Sequence, residues 1–302
     1  MPKFRMRSVV ALAAAFAIVG AACSDEPSSS TPTDTGTDTT SPSAAQDLLA
    51  RIQTDGAIRV ATDQKYKPQS WYDTKTGEWM GFDVEVAQEI AARLGVEAEI
   101  NHQEWAQVTA GSWNDRWDMN VGSMTVTEER ATLFAFTPAY YYTPASIAVH
   151  ADNSSIQDLS TDLDGKKICV GESTTYELYL RGELNIPGYE FISEIDDPQI
   201  QTYSTDTDAL DQLALGDGAR CDAAMTATPT VDQYVADGGP IKGVGEPLYG
   251  EPLAIAFDLN SPIDNTSLVD EVSSIIEDMH ADGTLTELSM KYYGEDITTV
   301  EE

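Results

Sequence analysis

The residue with the most chemistry to offer is Arg130. It ends the run Ser123-Met124-Thr125-Val126-Thr127-Glu128-Glu129-Arg130, among hydroxyls and acids, and is one of only nine arginines in 302 residues. A planar guanidinium can grip a carboxylate through two parallel charge-assisted hydrogen bonds, each worth roughly 1.5–3 kcal/mol. The same residue could instead be a helix-surface arginine paired with Glu128, a contact worth little. Tyr66, Trp71, Trp79, Trp105, Trp113 and Trp117 form a dense aromatic stretch. An indole face can pack an apolar body or a cation, up to about 2 kcal/mol when desolvated. Core packing is the better expectation for Trp79, Trp113 and Trp117. With three His, three Cys, no C-x-x-C and no H-E-x-x-H, no metal site or cofactor is expected. No paired-carboxylate or nucleophile–base motif singles out catalysis, so no catalytic residue is assigned.

Strands alternating with helices must position these residues. Ile58-Arg59-Val60-Ala61-Thr62 reads as a strand. Val84, Ala87, Ile90, Ala91 and Leu94 keep one helical face, with Asp83 as a cap and Gly95 as a stop. Ala98-Glu99-Ile100, Lys167-Ile168-Cys169-Val170 and Cys221-Asp222-Ala223-Ala224-Met225 read as further strands. Leu210, Leu213 and Ala214 mark a helix ended by Gly216, and Leu268, Val272, Ile275, Ile276 and Met279 mark another. The pattern predicts an α/β fold with largely parallel sheets, whose ligands sit at the carboxyl ends of strands. The length suits two domains at roughly 100–200 residues each. A formal net charge of −34 argues against nucleic-acid binding and against docking on anionic lipid through a basic face.

The N-terminus reads as an export signal. Lys3, Arg5 and Arg7 precede an uncharged run over 8–22, too short for an ordinary span of roughly 20 apolar residues. Gly20-Ala21-Ala22-Cys23 resembles the lipobox of bacterial lipoproteins, with Gly20 where a branched aliphatic is usual. This resemblance implies a signal peptide over 1–22, lipid on Cys23 and an extracytoplasmic protein anchored to the cell membrane. Residues 23–45 read as a tether. Twelve of the twenty residues over 24–43 are Ser or Thr and three are Pro, too little apolar surface to order. As a coil this segment would reach on the order of 25 Å.

From about residue 57 to 294 the chain resembles the family 3 extracellular solute-binding proteins, receptors of polar amino-acid ABC importers. The carrying motifs run in order: Ile58-Arg59-Val60-Ala61-Thr62-Asp63 with Tyr66-Lys67-Pro68; Gly81-Phe82-Asp83-Val84-Glu85; Thr125-Val126-Thr127-Glu128-Glu129-Arg130 with Phe136-Thr137-Pro138-Ala139-Tyr140-Tyr141; Leu163-Asp164-Gly165-Lys166-Lys167 with Ser173-Thr174-Thr175; and Ala281-Asp282-Gly283-Thr284-Leu285 with Lys291-Tyr292-Tyr293-Gly294. The resemblance implies the two-lobe periplasmic-binding-protein-like fold (type II), with lobe 1 over 46–149 plus 249–302 and lobe 2 over 150–248. Extended runs at 146–150 and 253–258 are the hinge candidates. It implies a monomer that captures an amino acid or related small carboxylate and hands it to a membrane permease. A ligand sensor and a small-acid lyase resembling cyclohexadienyl dehydratase are the alternatives on the same fold.

The resemblance also assigns roles. Arg130 would hold the ligand carboxylate, Ser123, Thr125, Thr174 and Thr175 would donate around it, and Tyr66 and Trp105 would enclose the ligand body, with Trp71 nearby. Gln69 stands where the family commonly has an aromatic. Family members that bind α-amino acids carry an Asp for the ammonium just after the strand matched by 221–225, and Ala227 stands there. Burying an ammonium without a counter-charge costs several kcal/mol. Either Asp63, Glu172 or Asp206 substitutes, or the ligand is no ordinary α-amino acid. Cys169 and Cys221 stay open between a disulfide, which the compartment permits, and two buried thiols.

Overall fold

The computed structural model describes residues 47–189 and 195–299. The signal over 1–22, the tether over 23–45 and the lipidation of Cys23 lie outside the described residues. The chain begins with α1 (Leu48–Asp55) and β1 (Ala57–Thr62), then a small three-stranded sheet of β2 (Lys65–Tyr66), β3 (Ser70–Asp73) and β4 (Glu78–Met80). Next come α2 (Phe82–Leu94), β5 (Glu97–His102), α3 (Trp105–Thr109), β6 (Met119–Thr125) and β7 (Phe134–Phe136). The long β8 (Tyr141–His150) leads to β9 (Lys167–Gly171), α4 (Thr175–Arg181), β10 (Gln199–Tyr203), α5 (Asp206–Leu213), β11 (Ala223–Ala227) and α6 (Thr228–Ala236). The still longer β12 (Ile241–Asp258) returns to α7 (Thr266–Ala281) and α8 (Thr284–Tyr293).

The strands order as β10-β9-β11-β8-β12-β6-β1-β5, with β7 also on β12. On each side three strands run parallel, while β8 and β12 pair antiparallel with each other and with their neighbours. The inner parallel strands β1, β6, β9 and β11 bury both faces, as such strands must when helices cover them, while the edge strands β5 and β10 hold only exposed and half-buried residues. On β1, Ile58 and Val60 join a core with Val86, Ile90, Val272 and Ile276, while Ala61 faces Trp113, Trp117 and Phe134. On β9, Ile168 and Val170 face one core of the second lobe and Cys169 the other. Each lobe therefore has its own interior, and two strands cross between them.

The crossing itself is short. Tyr141 packs in the first core and Ala145 in the second; Leu253 packs in the first and Tyr249 in the second. Between these points Glu251 pairs with Thr143 and Gly250 with Pro144. The two runs expected as hinges, 146–150 and 253–258, lie beyond the crossing, one in each lobe, because Ile147, Val149, Ile255 and Phe257 are fully buried core residues. Asp83, expected as a cap, is instead the second residue of α2 and fully buried. The helix follows Gly81, whose φ of 124° and close approach to the Gln69 carbonyl leave no room for a Cβ. Trp113 and Trp117 are core residues, and Trp79 packs edge-on against Tyr72 at 5.4 Å.

Cys169 and Cys221 form a disulfide with their Cα atoms 5.8 Å apart. It ties β9 to the turn before β11, where Asp222 accepts a 2.8 Å hydrogen bond from the Lys167 amide. Closing a loop of this length constrains the unfolded chain by about 4 kcal/mol in the chain-entropy account, and measured effects run somewhat lower. The double variant Cys169→Ser, Cys221→Ser should lose about 2–4 kcal/mol in urea unfolding. A loss below about 0.5 kcal/mol would mean that the bridge adds no constraint the sheet does not already impose.

Candidate functional site

The crossing sits beside the carboxyl ends of β1, β6, β9 and β10, and these ends wall a small cavity. Asp63 and Tyr66 follow β1, Trp105 begins α3, and Gly122, Ser123 and Thr125 end β6. Gly171, Thr174, Thr175 and Tyr176 face them from the end of β9 and the start of α4. Ser204, Thr205 and Asp206 come from the start of α5, and Glu251 from the crossing itself.

Arg130 opens a short 3-10 turn over Arg130–Thr132, fixed by its amide donating to the Thr127 hydroxyl at 3.1 Å. Its guanidinium donates to the carbonyls of Thr125, at 3.1 Å, and Ser173, at 3.0 Å, and lies 5.3 Å from the centre of the Trp105 ring. It is 5% exposed and forms no ion pair with any carboxylate among the described residues. Burial in that setting pulls its pKa down to about 10, against the opposing attraction of Glu251. A buried cation held by neutral carbonyls is poised for an anion.

Three acids share the cavity with it. Asp206 accepts from the Gly171 amide at 3.1 Å and from the Thr226 hydroxyl at 3.0 Å, yet burial still pushes it up to about 7. Burial likewise raises Asp63 to about 6, although the Lys65 amide donates to it at 2.8 Å. Glu251 is 1% exposed. One of its oxygens accepts from the hydroxyls of Thr125 and of Thr175, the latter at 2.6 Å. The other, Oε1, is buried, and the Tyr176 side chain lies close to the carboxylate. Desolvation raises its pKa, while Arg130 and the neighbouring hydroxyls favour the ionised form.

A fourth acid lies beneath the floor. Asp83 accepts from Tyr140 at 2.6 Å and from Ser123 at 2.7 Å, and the Ser123 amide donates to the Tyr140 hydroxyl at 3.1 Å. This network holds Ser123 at a φ of 57°, a conformation that few non-glycine residues adopt. The chain turns there toward the arginine. On the opposite wall, Thr174 caps α4 by accepting from the Glu177 amide, and Glu177 accepts from the Ser173 amide at 2.7 Å. The Ser173 carbonyl is thereby presented to both Arg130 and Trp105, whose indole nitrogen donates to it at 3.1 Å.

Residues 58–295 match the family described as bacterial extracellular solute-binding proteins, family 3. The chain belongs to that family. Among curated relatives, the L-cystine-binding protein TcyJ of Escherichia coli (strain K12) is 28% identical over 256 residues, covering 84% of this chain and 89% of the relative. Among solved structures, the P235GK mutant of ArgBP from T. maritima is 26% identical with a TM-score of 0.70, over 82% of this chain and 99% of that one. The ancestral amino acid-binding protein AncCDT-1, a precursor of cyclohexadienyl dehydratase, is 27% identical with a TM-score of 0.69, over 81% and 99%. These similar proteins are two-lobe binders of amino acids, and no helix among the described residues is long and apolar enough to cross a membrane.

In this solute-binding protein, Asp63, Tyr66, Trp105, Ser123, Thr125, Arg130, Thr174, Thr175 and Asp206 meet on one cavity. Trp71 and Glu172 do not. Tyr66 pairs with Ser70 and Lys65 with Trp71, so strand alternation puts Trp71 on the other face of the small sheet from Tyr66. It lines an outer groove, 5.7 Å from the Lys67 ammonium and edge-on to Tyr292. Glu172 follows Gly171 at the end of β9 and points to solvent, while Asp206 occupies the space behind Gly171. Ala227 packs in the core of the second lobe. Glu251, Tyr176, Ser204 and Thr205 were not singled out by sequence. The signal for Glu251 was an acid between Gly250 and Pro252 inside an otherwise apolar extended run.

The raised carboxyl groups make stability depend on pH. Burial raises Asp63, Asp83 and Asp206 to about 6–7 in the folded protein, whereas unfolded aspartates ionise near 3.8. Between those limits the folded state binds more protons, so stability is highest at the acid end of the window and is lost as pH rises through 6–7. The ligand-free protein should melt at a higher temperature at pH 5.5 than at pH 7.5. Calorimetry on Asp83→Asn or Asp206→Asn should give a visibly flatter profile; an unchanged slope would mean that these groups ionise normally.

Proposed function

We propose that this protein is the extracytoplasmic receptor of an ABC importer, capturing an amino acid or related small carboxylate between its lobes and releasing it to a membrane permease. The observation that carries the reading is Arg130, a buried guanidinium without an ion-pair partner among the described residues, on the wall of the cleft. Its ligand's carboxylate would lie against the guanidinium, with the Ser123, Thr125, Thr174 and Thr175 hydroxyls and amides around it and the rings of Tyr66 and Trp105 against its body. Lobe 1 would comprise 46–149 plus 249–302 and lobe 2 150–248. Contacts across the cleft support a closing motion: Lys65 to Asp208 at 3.0 Å, Lys67 to Asp237 at 2.9 Å, and Asn185 to Glu128 at 2.6 Å.

Export under the 1–22 signal, lipidation of Cys23 and a tether over 23–45 would hold a monomeric receptor at the outer face of the membrane, within reach of its permease. Cys23→Ala should then move the protein from the membrane fraction to the soluble fraction in cell fractionation. Unchanged membrane retention would defeat the anchoring.

A thermal-shift screen of amino acids identifies the ligand, since about 100 times its dissociation constant adds roughly 2.7 kcal/mol of stability. Arg130→Ala leaves the ligand carboxylate buried and unpaired, a loss on the order of 3–5 kcal/mol. Isothermal titration should show affinity falling at least about a hundredfold. Near-normal affinity would remove Arg130 from the site and the reading with it.

A further inference from the structure

Both anchors of Arg130 lead back to one carboxylate. Its guanidinium rests on two carbonyls, that of Thr125 at the end of β6 and that of Ser173 just before α4. Thr125 gives its hydroxyl to Glu251 Oε2, and Thr175 gives its own to the same oxygen at 2.6 Å. The anchors lie on opposite sides of the crossing, and Glu251 stands in the crossing strand, paired with Thr143. Ser173 is held at a φ of 62°, which few non-glycine residues adopt, so the direction of its carbonyl depends on the contacts around it.

Glu251 does this with almost no surface of its own. The residue is 1% exposed, Oε1 is sealed from solvent, and the Tyr176 side chain lies close to the carboxylate. A ligand can therefore act on it only through space. The groups that face it come from every side: Arg130 from the turn after β6, Tyr176 from α4, Asp206 from α5, Tyr66 from β2 and Tyr249 from its own strand. Arg130 is the cation among them and favours the ionised carboxylate, which burial opposes. A ligand carboxylate on the same guanidinium would compete for it and add a like charge. Two carboxylates on one buried guanidinium do not both stay ionised without cost.

Resting on the receptor reading above, we infer that Glu251 is a positioning residue that touches no ligand: it holds both anchors of Arg130 from the crossing strand, and it takes up a proton from solvent when a ligand carboxylate reaches the guanidinium. The proton goes to Oε1, because Oε2 already accepts two hydroxyls, and the Tyr176 hydroxyl can turn from donor to acceptor. One negative charge arrives at the cavity wall and another is neutralised. Affinity follows the sign of that exchange. It falls as pH rises, by at most about tenfold per pH unit for a single proton.

Isothermal titration of wild type at pH 7.5 with each of the twenty standard L-amino acids and L-cystine selects the tightest binder as the probe. Titrating that probe in two buffers of different ionisation enthalpy counts the protons that move on binding. Wild type should take up more of a proton than Glu251→Gln, whose neutral amide keeps the bracing oxygen. The variant's affinity should also fall less steeply from about pH 6 to 8.5. The same difference should persist in an Asp206→Asn background, which removes the neighbouring acid that responds to Glu251. Glu251→Ala strands both threonine hydroxyls and should bind at least about tenfold more weakly than Glu251→Gln at every pH. Melting curves establish that the variants fold; where Glu251→Ala does not, the proton count in Glu251→Gln decides alone. Equal proton counts in wild type and Glu251→Gln, or a release that the variant abolishes, would overturn the inference. So would equal affinities of the alanine and glutamine variants, since Glu251 would then hold nothing in place. Binding lost in Arg130→Ala alongside matching proton counts would sink this inference and leave the receptor reading standing. Binding of none of the probes by wild type would sink both.

Discussion

The antiparallel pairing of β8 with β12 is the constraint on which the rest of the molecule rests. Each strand joins an apolar core on both sides of a short crossing, and the chain changes lobes where buried polar residues, Thr143 and Glu251, interrupt that apolar packing. The parallel strands on either side end near that crossing, and their loops have nowhere to converge except across it. A cleft at the strand ends thus follows from the topology. Charge enters there because the backbone at strand ends and helix starts offers amides and carbonyls that a continuous sheet would already have paired.

Those free backbone groups explain how charged residues tolerate burial. Arg130 is held by two carbonyls and an indole face, Asp206 by an amide and a hydroxyl, Asp83 by the hydroxyls of Ser123 and Tyr140. Each group keeps its geometry without being neutralised. Elsewhere the same residue types are fully paired. Arg59 donates to Asp115 and Asp118, and Arg51 joins the same pair of acids, fastening α1 and β1 to the turn before β6. There the guanidinium of Arg59 gains a firmer hold on its proton, whereas that of Arg130 loses ground. The contrast between these two arginines is what distinguishes a brace from a receptor group.

Much of this was legible in the residues. The apolar periodicity marked β1, α2, β5, β9 and α7 with small errors, because each buries a regular face. The strand expected at 221–225 runs instead over Ala223–Ala227, since Asp222 is spent on the Lys167 amide. Nine of the residues to which the resemblance pointed lie on one cavity, at strand ends, helix starts and the loops between them, which periodicity alone does not single out. Trp71 was placed wrongly for a reason that the pairing register alone supplies, and Glu172 because one step along a strand end reverses a side chain. Glu251 was hidden by its setting. An acid in the middle of a strand has no motif, and only its contacts with Thr125 and Thr175, 126 and 76 residues away, give it meaning.

The contacts across the cleft show how closure and recognition divide the work. Lys65 with Asp208 and Lys67 with Asp237 are exposed pairs, their side chains 52% and 29%, and 45% and 47%, accessible. Such pairs are worth about 0–1 kcal/mol each and are screened by salt. Moving an equilibrium from mostly open to mostly closed takes about 5.5 kcal/mol of differential affinity. The surface pairs cannot supply it. In the proposed receptor, closing would desolvate Arg130, Asp206 and Glu251 together, which would oppose closure until opposite charges arrive. In that reading the lysine contacts would guide the walls into register, and the ligand's own charges would decide whether they stay there.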